Sequence, residues 1–482
     1  MHIFTHGDTA QLLLRWFGVL TVLSLLTAAV TEVYILAGFP FALLLGYLLV
    51  VDYRHVFFLL FLAIPFSTEV QLPGGLGTDL PDEPLILLLF GVYSLYALRH
   101  GPQLSARFLR HPITLLLLAH VGWIAFTALT SANVLVSVKF LLAKGWYVVV
   151  FYFLAARLLT DTAEVRRLFW WTIPAVALTV VWVLVRHYPS GFDFEVADVV
   201  VRPFYRNHVN YASMLALLVP PLIWLWTRYR RFGWKWWVLL GCGALLLTGV
   251  WFSYTRAAYV CLLGAAGAYF IIRWQLLRYV LVAAVIAGCL GVIYLAQQNT
   301  YLDYAPNYER TVSIKQWDNL LEATAKGEDI STMERVYRWV AGSQMIPERP
   351  VVGFGPGNFY NFYRSYTVSS FETYVSYNPE KSGIHSYYLM TLVEQGWPGL
   401  LLFLGLVFAP LLYGERLYRR CTDADTRALI MALLLCLVII DALLLINDLV
   451  ETDKVGPFFF VSTALLVSFG DRAFFTRLKF RV

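Results

Sequence analysis

His385 stands in Gly383-Ile384-His385-Ser386-Tyr387-Tyr388, where a long polar segment gives way to an apolar one. An imidazole there titrates near working pH and could take the proton from a hydroxyl nucleophile. A solvated or structural histidine is the competing role, and His208 carries the same two readings. Arg202 and Arg206, in Val201-Arg202-Pro203-Phe204-Tyr205-Arg206-Asn207-His208, lead into an apolar run, and Arg256 lies in Phe252-Ser253-Tyr254-Thr255-Arg256-Ala257 between two such runs. A guanidinium in apolar surroundings is costly and calls for an anionic partner, and its planar fork matches phosphate. For Arg256 the alternative is snorkelling to headgroups. The simplest combination is a pyrophosphate held by arginines from separate helices, with a histidine nearby. Asp193-Phe194-Glu195 is the rival, a D-x-E carboxylate pair of the kind that can hold a divalent metal. Lys139 and Lys144 either snorkel outward or line a cavity. Glu394 and Asp441 are acids within apolar runs, where structural pairing is the expected role.

The elements that must position these residues are membrane spans. Hydrophobic residues are 59% of the 482, charged residues 14%, and mean hydropathy is +0.65. A soluble chain carries about 25% charge, and the apolar residues come in blocks of about 15–22, the length that crosses a bilayer core. About fourteen segments qualify, near 12–31, 33–50, 56–67, 83–98, 112–130, 137–156, 168–186, 209–227, 236–254, 257–272, 279–296, 397–414, 428–447 and 456–470. The third is short and the first two lie close together, so the expectation is 12–14 transmembrane helices in an all-α polytopic membrane protein. Basic residues cluster in alternate loops, including Arg99, Arg107 and Arg110, then Arg157, Arg166 and Arg167, then Arg228, Arg230, Arg231 and Lys235, then Arg273 and Arg278, then Arg416, Arg419, Arg420 and Arg427. Those loops and both termini are expected to be cytoplasmic. The formal net charge of +6 reflects them and does not point to nucleic acid. The N-terminus lacks a basic n-region and a small-residue cleavage site, and reads as the start of the first span. Four of the five cysteines fall in spans and no CxxC occurs, so neither disulfides nor a zinc site is implied.

Cytoplasmic loops of at most about 15 residues leave no room for a nucleotide-binding domain. The other face carries an insertion of about 88 residues, giving a division into spans at 1–296, a large loop at 297–384 and C-terminal spans at 385–482. A shorter loop covers 187–208 and another lies near 68–82. An energy-rich substrate at that face should arrive already activated, with a lipid as the expected carrier. The large loop reads as folded. Ile314, Trp317, Leu321 and Ala325 recur at helical spacing up to Gly327. Ser331-Thr332-Met333-Glu334 has the capping-box form for a helix to about Met345, stopped by Pro347 and Pro350. The rings of Phe359, Tyr360, Phe362, Tyr363 and Tyr366 suit either stacking on sugars or anchoring at the membrane interface.

Read together, Glu334-Arg335-Val336-Tyr337-Arg338-Trp339, Pro350-Val351-Val352-Gly353-Phe354-Gly355-Pro356-Gly357-Asn358-Phe359, His385-Ser386-Tyr387-Tyr388-Leu389 and Glu394-Gln395-Gly396-Trp397-Pro398-Gly399 resemble the O-antigen ligase and polymerase superfamily of bacterial envelopes. Thr255-Arg256 and Arg202-Pro203-Phe204-Tyr205 with His208 are similar to its other elements. The motifs cover roughly 200–260 and 331–400. The resemblance implies a GT-C-like, metal-independent, inverting glycosyltransferase without cofactor in the bacterial inner membrane, its active site and mainly helical large loop facing the periplasm. It implies a glycan donor on undecaprenyl pyrophosphate and, for an O-antigen ligase, a hydroxyl of lipid A-core or another glycan as acceptor. By the same likeness His385 is the base, and Arg256 with Arg202 or Arg206 holds the pyrophosphate. His208, Arg335, Arg338 and Tyr388 are expected to support them. The scaffold would equally serve a glycan polymerase or a protein O-oligosaccharyltransferase. A transporter should show inverted repeats and broken helices, which the sequence does not display.

Overall fold

The computed structural model describes residues 6–72, 76–297, 330–372, 376–377 and 382–479. Every one of the fourteen apolar segments is helical. They form α1 (His6–Thr31), α2 (Phe39–Ala63), α3 (Asp82–His100), α4 (Pro112–Leu129), α5 (Val134–Leu158), α6 (Thr162–His187), α7 (His208–Trp226), α8 (Trp234–Trp251), α9 (Arg256–Arg273) and α10 (Leu277–Ala296). After α11 (Ile330–Met345) in the large loop come α12 (Tyr387–Arg420), α13 (Ala424–Leu443) and α14 (Gly456–Lys479). Among the described residues nine helices are long and apolar enough to cross a membrane, and the chain is a multi-pass membrane protein. The expected second and third spans join through α2, bent by 120° where Asp52 leaves the helical region. α1 and α14 offer shorter apolar stretches, Arg15–Thr31 and Gly456–Asp471.

The basic loops meet at one end of the bundle. Arg166 and Arg228 both reach Asp425, at 2.8 and 3.7 Å. Arg419 donates to Gln275 at 3.0 Å, the Leu277 amide donates to Glu415 at 3.3 Å, and Ser105 hydrogen-bonds Asp471. Arg54, beside the bend of α2, approaches Glu164 at 3.8 Å. Charge alternation along the sequence thus becomes charge segregation in space.

The other end carries the loops, and two features there depart from expectation. Residues near 68–82 form an antiparallel hairpin, β1 (Thr68–Leu72) with β2 (Leu76–Leu80), Val70 facing Thr78. The alternation in Thr68-Glu69-Val70-Gln71-Leu72 was its sequence signal. Second, α12 begins ten residues before the apolar run at 397 and is two helical segments that meet at a kink at Gly396, just after Glu394 and Gln395 interrupt hydropathy. Gly396, at φ 69°, turns there, and a Cβ would meet the Val351 carbonyl oxygen at 2.1 Å.

That turn receives the large loop. Phe354 and Gly355 amides donate to the Val393 and Glu394 carbonyls at 3.0 and 2.9 Å, and Trp397 donates to Pro350 O at 2.9 Å. The Glu394 carboxylate accepts Gly357 N–H (2.8 Å) and Phe359 N–H (2.9 Å), the structural pairing expected of it. Asn358 Nδ2 fastens the same segment to Ser131 and Ser137, each at 2.9 Å. Glu394→Ala leaves the buried Phe359 amide without an acceptor, at about 1–3 kcal/mol, and the half-buried Gly357 amide at less. It should speed tryptic cleavage of the large loop in detergent, and an unchanged rate would deny Glu394 this role.

The helix expected from Ser331 ends at Met345 as read. The Glu334 carboxylate pairs with Arg338 four residues on (3.3 Å) and accepts from Ser376 (2.6 Å). The aromatic run divides, with Tyr360, Phe362 and Tyr366 remaining partly exposed. Phe359 and Tyr363 are buried and stack at 5.0 Å, and with Phe354, Phe371 and Tyr337 they make the loop's own core. A segment this far from the bundle core needs an apolar centre of its own to stay folded. The helix expected over Ile314–Ala325 lies outside the described residues.

Candidate functional site

Arg335 and Arg338, three apart, share a face of α11. Arg335 Nε donates to Ile446 O at 3.4 Å, and Arg338 donates to Gly383 O at 3.2 Å. Helix α11 is thereby held across two strands of irregular chain, the segment entering α12 and the connection between α13 and α14. His385 sits at their junction with φ 58°, a left-handed conformation that few side chains adopt. Its amide donates to Asp448 Oδ2 at 3.2 Å, and the Tyr387 amide donates to Leu444 O at 2.9 Å. A Cβ at Gly383 would lie 2.3 Å from that same Asp448 oxygen, so any larger residue there has to displace the carboxylate. Residues held in such backbone regions recur at functional sites because the surroundings over-determine them.

Burial, then the positive charges of Arg338, Arg335 and Arg206, depress the His385 pKa from its ordinary 6.5 to about 3. The imidazole is therefore neutral, the form that accepts a proton. Arg206, the weakest of the three influences, acts from another element. The turn before α7 is pinned by Tyr205, whose buried ring lies against Tyr211 and whose hydroxyl hydrogen-bonds Thr179 at 2.8 Å. Arg186 braces that turn from α6 through the carbonyls of Val200 (3.1 Å) and Arg202. With its neighbour anchored inward, Arg206 faces a cavity of about 810 Å³, which Arg202 also lines.

The cavity runs past Lys454 and Glu451 to the carboxylates of Glu69, Asp79 and Glu83 on and beside the hairpin. Burial and the neighbouring Asp453 raise the Asp79 carboxyl to about 6. Glu451 accepts from Lys144 and from Tyr387. Lys144 therefore points inward and lines the interior, and does not snorkel. The His385 cluster and the cavity meet at Arg206 and through the Glu451–Tyr387 contact.

The remaining expected site residues are distributed differently. Arg256 opens α9, where the preceding Thr255 hydroxyl donates to the His208 carbonyl at 3.3 Å. His208 Nδ1 contacts Asp198 Oδ1 at 2.6 Å, a carboxylate–imidazole pair at the start of α7. Tyr388 donates its hydroxyl to Asp441 O at 3.0 Å, joining α12 to α13, a bracing role. Asp193 caps the short turn that contains Glu195, accepting its amide at 3.1 Å, and no cluster of three metal-ligating side chains occurs among the described residues.

Sequence reading missed Asp448. It lies 63 residues beyond His385, and an acid in the loop before the last span was its only signal. Its carboxyl also accepts from the Ser386 amide and is raised by burial to about 6, while Oδ1 has no hydrogen-bond partner among the described residues. Asp448→Ala should lower turnover by freeing the left-handed His385 backbone, whereas Asp448→Asn, which keeps an acceptor oxygen, should retain most of it. Equal losses in both variants would assign the effect to charge.

Residues 242–404, 163 of the 482, match the family model described as O-antigen ligase. No curated protein matches the chain. The matching stretch runs from α8 into α12 and includes Arg256, Arg335, Arg338, His385 and Tyr388; Arg202, Arg206 and His208 precede it. The resemblance read from the motifs holds over that stretch.

Proposed function

We propose, on the premise that residues 242–404 form an O-antigen ligase-family domain, that the chain is an inverting glycosyltransferase of the bacterial inner membrane. It moves a preassembled glycan from undecaprenyl pyrophosphate to a hydroxyl of lipid A-core at the periplasmic face. The observation that carries this reading is the neutral, conformationally held His385 among three guanidinium groups from two separate elements. A proton acceptor beside concentrated positive charge suits a reaction in which a hydroxyl is deprotonated as a pyrophosphate leaves.

In the transfer, His385 takes the acceptor proton while the oxygen attacks the anomeric carbon from the face opposite the pyrophosphate. The new C–O bond forms as the bond to pyrophosphate breaks, inverting that carbon. Arg206, with Arg202 and Arg256 along the donor's path, offsets the charge gathering on the departing lipid pyrophosphate. Asp448 Oδ1, unpartnered among the described residues, is an acceptor for a sugar hydroxyl.

Purified protein given lipid-linked glycan and separate acceptors tests the reading. Glycan appears on lipid A-core; a ladder of lengthened glycan formed without that acceptor would make the chain a polymerase, and transfer to a Ser- or Thr-bearing protein an O-oligosaccharyltransferase. Because arginines supply the positive charge, EDTA should leave the rate unchanged. A loss restored by Mg²⁺ or Mn²⁺ would bring Asp193 and Glu195 into the chemistry.

A further inference from the structure

A second cavity, of about 860 Å³, lies at the opposite, basic end of the bundle between α7, α8, α9, α12 and α13. Its interior is apolar, and small residues make the room. Ala265 and Ala266 on α9 and Ala424, Ala428 and Ala432 on α13 line it, so these adjoining helices leave a trough. Ile223, Leu247 and Phe270 are exposed along it.

The rim is cationic. Arg228, Arg273 and Arg427 stand exposed around it on three different helices or their ends. Arg273 donates to the Tyr269 hydroxyl at 3.3 Å, and Arg427 lies 4.5 Å over the Tyr418 ring. Two carboxylates lie near this rim: Asp425 already receives Arg166 at 2.8 Å and the Trp224 indole N–H at 3.1 Å, with Arg228 at 3.7 Å, and Asp423, which caps α13 by accepting the Thr426 amide at 2.8 Å, also feels Arg228. Positive charge at the mouth therefore exceeds the negative charge that meets it.

We propose that this trough is a binding site for an anionic glycerophospholipid, its phosphate among Arg228, Arg273 and Arg427 and one acyl chain along the alanine-lined floor. An aqueous anion would fit the rim but gain nothing from the apolar floor, and a zwitterionic lipid would gain less from the excess cations. Basic pockets between membrane helices on the positively charged side have this specificity for physical reasons. The site is far from His385 in the fold and does not depend on the reaction assigned there.

The test uses full-length protein in detergent, delipidated, with dioleoylphosphatidylglycerol, dioleoylphosphatidylcholine or inorganic phosphate added, reading thermal stability and bound lipid by native mass spectrometry. Phosphatidylglycerol should raise Tm and be retained; phosphatidylcholine and phosphate should do neither to a comparable degree. Arg273→Gln/Arg427→Gln should weaken retention about tenfold or more, at about 1 kcal/mol per cation. Ala266→Phe, which fills the trough with every charge intact, should also weaken it. Equal stabilisation by phosphatidylcholine, or by phosphate alone, would overturn the proposal, as would undiminished retention in either variant. Wild-type protein provides a measurement independent of variant folding: phosphatidylglycerol with a photoreactive acyl chain should label α9 and α13 at the trough, and labelling spread evenly over the bundle would also overturn it.

Discussion

His385→Ala inserts and folds but loses transfer, with turnover down by about 10²–10⁴, the contribution expected of a positioned base. Donor binding in this variant stays close to wild type, because the arginines are untouched. Turnover at the wild-type rate would end the role of His385 as base. The pH dependence is equally specific. In the free protein, burial and Arg338, Arg335 and Arg206 hold the imidazole pKa near 3, so kcat/KM should show no acid limb from this group between about pH 5 and 8. A bound pyrophosphate offsets those guanidinium charges and brings the pKa back toward 6.5. The acid limb of kcat should therefore lie at higher pH than that of kcat/KM. Folding lowers this pKa, so the unfolded chain is the better proton acceptor between the two values. The corresponding stability is fully present above pH 6.5 and is lost as pH falls toward 3. His385→Ala removes that part of the acid sensitivity.

Arg206→Ala is the second large effect, a loss of about 10²–10³ in turnover, the size seen when one preorganised stabiliser of developing negative charge is removed. Arg206 both lines the cavity and acts on His385, whereas Arg202 lines the cavity and Arg256 follows Thr255, whose hydroxyl donates to the His208 carbonyl. The order of losses should be Arg206 first, then Arg202 and Arg256. A merely structural arginine would not alter the base. Here, removing one of three repelling cations raises the His385 pKa, so the acid limb of kcat/KM moves to higher pH, and Arg206→Lys moves it back. If Arg256→Ala loses more than Arg206→Ala, the pyrophosphate belongs at the His208 end of the groove.

Both experiments address residues visible in the sequence as chemistry out of place. Arg206 and His385 were legible because charged groups are scarce in this chain, and those on the weakly basic side of the alternation have few competitors. Their partners were not. Lys144 gave no sign of which way it would turn, since a lysine in a span has a stem long enough for either. Its inward contact with Glu451 and Tyr387 depends on where α5, α12 and the last inter-span connection meet. The aromatic run looked equally suited to sugar or membrane, because its composition is the same in both. Packing into the loop's private core depends on α11 lying over it.

Hydropathy and charge along the chain were enough to determine a multi-pass helical bundle and its segregated basic end. Each follows from a local property, namely whether some twenty successive side chains tolerate lipid and on which side their flanking arginines can remain hydrated. Tertiary structure alone decided that Asp448 clasps the backbone of His385, that Arg206 acts on its ring from the turn before α7, and that a hairpin borders the cavity. These are distances between segments tens to hundreds of residues apart, set by how helices pack and loops dock, and no one-dimensional pattern contains them.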